Sequence, residues 1–147
     1  MPQFARPNAD TLIGNYSDEA AGVTDIFQAI DEASASDADY IRSPASPVNE
    51  VYVCALSSIT DPVSSSGHTM RMRTAVDLAS QETLDFTQQL RQGYVNEGTP
   101  GTLIASQSRN GVTSTAFTDS AYTLSGAEAD AITNYALLFF RFVCNKP

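Results

Sequence analysis

Side-chain type alternates with a period of two through residues 67–74, and no other feature narrows the folds open to this chain as much. In a β-strand successive side chains point to opposite faces, so His68, Met70, Met72 and Thr74 would face one way and Thr69, Arg71 and Arg73 the other. A helix would scatter both sets around its circumference. The same period returns between turn residues from Val51 to Val143, whereas helical spacing is confined to short pieces. Residues 51–56 read as a strand covered on both faces, closed by turn signals at Asp61, Pro62 and Gly67. Leu84, Phe86 and Leu90 share one side of the next strand, which Gly93 stops, and residues 102–106 and 114–124 follow in the same manner. Residues 136–144 are apolar on both faces, which predicts a strand central in its sheet and covered outside as well as inside. Arg141, the exception in that run, is expected to be a stacked or paired structural residue.

Two helical turns interrupt the strands. Ser125 and Glu128 have the spacing of a capping box, which predicts a short helix running to about Ile132. Asp25 is placed to cap a second turn, with Ile26 and Ile30 on one face. Taken together these elements predict an all-β fold, an antiparallel two-sheet β-sandwich of the jelly-roll kind with one or two short helical turns. An immunoglobulin-like sandwich competes, but its Cys-Trp-Cys hallmark is missing because the chain has no Trp. The length suits a single domain, 1–147, and a 42% hydrophobic content suffices for one core. Residues 1–24 are irregular in pattern and are expected to form an extended N-terminal arm or an irregular segment of that domain.

Charge restricts the partners. Seventeen acidic residues against eight basic ones give a net charge of −9, which repels phosphate backbones and argues against nucleic acid. The first residues lack the apolar stretch of a secretory signal, and no run approaches the roughly 18 apolar residues of a membrane span. A soluble protein made in the cytosol, with no membrane partner, is the expectation. Cys54 and Cys144 lie inside apolar runs without metal-ligand spacing; they read as two buried hydrophobes or as a disulfide joining an early and a late strand.

Little in the sequence carries chemistry. His68, the only histidine, begins a strand, and no nucleophile elbow, phosphate loop or dinucleotide fingerprint accompanies it. No catalytic residue and no cofactor is expected. Asp31, Asp37 and Asp39 gather hard oxygen ligands in one loop region and are the weak candidates for calcium, although the EF-hand pattern is absent. A sugar-binding module would want exposed aromatic platforms, and Tyr94, set in a loop after Gly93, is the best placed of the six tyrosines.

The string Ala5-Arg6-Pro7, the segments 30–32 and 37–43, Asp61-Pro62, Gly67-His68 with Arg71 and Arg73, residues 127–132 and the run from Leu138 to Val143 together resemble a family of small structural proteins encoded in tailed-phage and prophage genomes. The sequence departs from that pattern at Asn15-Tyr16 and in residues 83–101. The resemblance implies a non-enzymatic virion component on the capsid exterior, a decoration or cement protein whose partner is the major capsid protein or another virion protein. A homo-trimer is the assembly expected on three-fold sites of a shell. The arm and loops would carry the contact, with Phe4, Arg6, Tyr16 and Tyr94 as the presenting side chains. The alternative is a glycan- or host-surface-binding sandwich on a tail or fibre.

Overall fold

The computed structural model describes residues 3–77 and 82–147. In chain order it contains β1 (Pro7–Leu12), β2 (Ser17–Asp18), a 3-10 turn (Ile26–Ile30), β3 (Ile41–Arg42), β4 (Glu50–Leu56), β5 (Thr69–Thr74), β6 (Leu84–Gln92), β7 (Thr102–Val112), β8 (Thr118–Thr123), α1 (Gly126–Asp130) and β9 (Leu138–Asn145). The architecture is all-β, antiparallel and sandwich-like, with unequal layers. One layer is a five-stranded sheet in the order β1-β4-β9-β6-β7, and β5 pairs with β8 in a separate two-stranded ribbon. β2 and β3 form a second small pair.

The doubly apolar last strand takes the centre of the large sheet. β9 pairs with β4 on one side, Tyr52 opposite Phe142 and Cys54 opposite Phe140, and with β6 on the other, Leu90 opposite Phe140. Tyr52, Cys54, Leu90 and Leu138 then face the core together with Met70 of the ribbon. The alternation read in residues 69–74 holds residue by residue: Met70, Met72 and Thr74 are buried while Thr69 and Arg71 are exposed.

Polar bonds fix the ribbon over β6 and β7. The Gln88 side chain is 1% exposed and donates to the Arg71 carbonyl at 3.1 Å. Gln107 donates to the Gln88 side-chain oxygen, and the Ser120 hydroxyl donates to that of Gln107 at 3.1 Å. Arg109 reaches inward to the Thr74 hydroxyl and the Thr118 carbonyl. Buried amides are tolerated only when bonded, and this chain of donors and acceptors sets the register of one layer on the other. Cys54 and Cys144 are free and buried, and burial pushes the Cys54 thiol up to about 12.

Of the two forms expected for the N-terminal segment, described from residue 3, the structure has the segment of the domain and not the extended arm. Residues 7–12 form the edge strand β1 against β4, and before it Ser57 donates to the Arg6 carbonyl at 2.7 Å while the Gln3 side chain exchanges bonds with the backbone of Thr60. Two register shifts break the β1 ladder, which is why the period of two is absent from its sequence. The 3-10 turn also differs from expectation. Asp25 sits at its N-terminus with a φ of 54° and makes no side-chain cap; the amides of Ile26 and Phe27 instead donate to the Asp10 carboxylate of β1 at 2.8 and 3.0 Å. The capping box of α1 forms as read: Glu128 N–H donates to the Ser125 hydroxyl and Ser125 N–H to the Glu128 carboxylate.

Candidate binding surface

One end of the large sheet carries a loop, residues 93–101, folded back over its outer face. Gly93 and Gly101 stand at its base with φ of 71° and 69°, and a Cβ on Gly101 would meet the Gln92 carbonyl at 2.4 Å, so glycine is required there. Gly93 N–H donates to the Leu137 carbonyl at 2.9 Å, and Thr99 N–H closes the tip onto the Asn96 carbonyl at 2.9 Å. Tyr94 lays its ring on Phe139 of β9, centroids 5.9 Å apart, and its hydroxyl donates to Glu97 at 2.9 Å.

Glu97 in turn clamps Arg141, accepting from Nε at 3.0 Å and from Nη2 at 2.5 Å. Its carboxyl is held below the usual carboxylate range, chiefly by that bond, and burial followed by the Glu97 bond pushes the Tyr94 phenol up to about 12. Arg91 on the neighbouring strand donates to Gln89 at 2.8 Å and to the carbonyls of Pro100 and Gly101, both at 3.2 Å. Burial and then the like charge of Arg141 hold the Arg91 guanidinium below its ordinary value. Among the described residues no carboxylate forms an ion pair with Arg91. Two arginines and one glutamate therefore leave this spot locally positive on a chain of net charge −9.

Apolar side chains lie at the same end of the sheet. Leu103 lies opposite Arg91, which lies opposite Phe139, so the three occupy one row across β7, β6 and β9. Val95, Leu103 and Leu137 are 65%, 47% and 48% exposed. Loop closure, ring packing and the Arg141 clamp hold this surface in one shape.

The residues singled out from sequence fall elsewhere or play other parts. Tyr94 is 6% exposed and Tyr16 equally buried, its ring 5.7 Å from that of Tyr52 and its hydroxyl on the Glu50 carbonyl; both are corrected from partner contacts to packing residues. Phe4 remains exposed, with the Arg6 guanidinium 5.6 Å from its ring centroid. The calcium candidates do not converge: Asp37 pairs with Arg73, Asp31 ends the 3-10 turn, and Asp39 rims an open cavity of about 240 Å³ with Asp18, Glu19 and Asp25. Among the described residues no three acidic, His or Cys side chains come together as a metal site, so Asp31, Asp37 and Asp39 are withdrawn as a ligand set. His68 shares a 2.8 Å hydrogen bond with the Tyr135 hydroxyl. Val95, Leu103 and Leu137 went unnoticed in the sequence; the only signal was the pair of glycines, Gly93 and Gly101, bracketing a short loop. Comparison with protein-family models, with curated proteins and with solved structures finds no match to this chain.

Proposed function

We propose that this chain is a virion structural protein of a tailed bacteriophage, a decoration or cement protein that binds the assembled head through protein–protein contacts and not by catalysis. The observation that supports the reading best is the fixed surface at the end of the large sheet, where Leu103 stands exposed opposite Arg91 and Val95 and Leu137 are exposed in the adjoining loops. A surface ordered before contact loses little freedom on binding, and apolar side chains with an arginine suit the centre of a protein interface. A shell of major capsid protein repeats one site many times. A protein that binds the closed shell and not its loose subunits stabilises it by mass action. The charge of −9 suits the exterior of the head, away from packaged DNA. Phe4, exposed, with the half-buried Arg6 against its ring, offers a further contact for the same partner.

The glycan-binding alternative draws less support, because Tyr94, the best placed of its platforms, is buried, and Asp31, Asp37 and Asp39 do not converge. The test is co-sedimentation with emptied, expanded tailed-phage capsids that lack a decoration protein, together with the shell melting temperature. Saturable binding and a raised melting temperature are expected, and L103D/L137D should bind at least tenfold more weakly while folding normally. No binding to any such shell, or glycan-array binding by the isolated chain, overturns the proposal.

A further inference from the structure

β7 is an edge strand of the large sheet and the longest strand in the molecule, eleven residues from Thr102 to Val112. Its inner side pairs with β6 from Gln92↔Thr102 to Leu84↔Val112, with two register shifts that leave residues 105–109 as the unbroken central stretch. Among the described residues, the backbone hydrogen bonds outside the ladders include none from β7, and its amides bond a side chain only at Gly111, to Asp85. Natural edge strands are usually blunted by proline, lysine and other charges, bulges, or a covering segment. β7 has a register shift towards each end but no proline, no lysine and no acidic residue, and its one charged residue, Arg109, is bonded to Thr74 and Thr118.

We propose that a second copy of this chain occupies that edge, β7 pairing antiparallel with β7 of its partner to join two five-stranded sheets across a two-fold axis. Charge selects the place at which two copies can meet. Two copies of net charge −9 repel over most of their surfaces, but residues 98–118 form the longest stretch of the sequence without an Asp or Glu. Along β7 the chains meet with least repulsion. Among the exposed side chains of β7, Ser106 and Ser108 in the central stretch are small and neutral, so they allow close approach and cross-strand hydroxyl contacts. An edge of eleven residues spans roughly 37 Å and supplies a ladder of hydrogen bonds.

The opposite edge does not offer the same surface, which fixes the symmetry. β1 starts at Pro7 and is joined through Asp10 to the 3-10 turn. Head-to-tail pairing of β7 on β1 would build rings or filaments; β7 on β7 is isologous and closes at two copies. The two-fold pairing therefore replaces the trimer expected from sequence and does not depend on the capsid reading.

Sedimentation equilibrium of the purified chain at low and high salt tests the proposal. A monomer–dimer equilibrium is expected, tightening as salt rises because ions screen the repulsion between acidic copies. S106D/S108D places four carboxylates across the axis and should weaken dimerisation at least tenfold, with an unchanged far-ultraviolet dichroism spectrum. If that variant fails to fold, hydrogen exchange on the wild-type chain decides instead: amides of residues 102–112 should be slower at high protein concentration than at low. A single-chain mass throughout, a trimer, a dimer indifferent to the two aspartates, or exchange in β7 that ignores concentration would each overturn it.

Discussion

The two edges of the large sheet are built on different terms. At β1 one carboxylate, Asp10, accepts from Ile26 and Phe27 of the 3-10 turn and from the Tyr52 hydroxyl at 2.7 Å, so a single side chain ties edge, turn and core together. At β7 the strand is long and free of acidic residues, and Gln107 and Arg109 bond to neighbouring strands. An edge closed by its own chain is a stability device. An edge without such a tie is where the proposed second copy would pair.

Both edges depend on the central strand, so the largest effect is expected there. Phe140 lies between Cys54 and Leu90 on the core face and packs on Phe142 at 5.8 Å. Phe140→Ala should lower the unfolding free energy by about 3 kcal/mol in urea titrations. A change under about 1 kcal/mol would show that β9 is not the element on which the two halves hang.

Asp10→Ala breaks the comparison at its closed end. It leaves two backbone amides and a phenol without their acceptor, and about 2–3 kcal/mol of stability should go with them. Tyr52→Phe removes one of those three donors and should cost about 1 kcal/mol. On the open edge, Ser108→Ala takes away only the exposed contact with Thr87 and should stay within about 0.5 kcal/mol of wild type. Equal losses at Asp10 and Ser108 would erase the distinction between the edges.

The same contrast explains what could be read from sequence. Residues 69–74 and β9 were legible because their apolar side chains follow the strand period without interruption, and α1 because its capping box is local, Ser125 to Glu128. β1 was not legible: two register shifts remove the period, and its decisive contact joins Asp10 to residues far along the chain. Gln88 and Gln107 misled in the other direction, since a polar residue in an alternating strand reads as outward unless its partner across the layers is known. Tyr94 read as exposed because loops lie on surfaces; Phe139 and Glu97, which draw it down, belong to no pattern a period can detect.

The smallest effect lies beside the open edge, in the clamp that shapes the proposed binding surface. Glu97 titrates low in the folded protein because Arg141 favours its charged form. A depressed folded value adds stability that is present above the unfolded carboxyl value of about 4.3 and is lost as pH falls through the folded one. The Glu97 side chain is 41% exposed, so solvent screens most of this and the contribution stays below about 1 kcal/mol. Wild type should therefore exceed Glu97→Gln slightly in stability above about pH 5, the difference closing in more acidic buffer and shrinking in molar salt. A gap that ignores both pH and salt would mean the loop is held by the packing of Tyr94 on Phe139 and not by charge. In that case Tyr94→Ala, and not Glu97→Gln, would be the substitution that loosens the surface and weakens the proposed capsid binding.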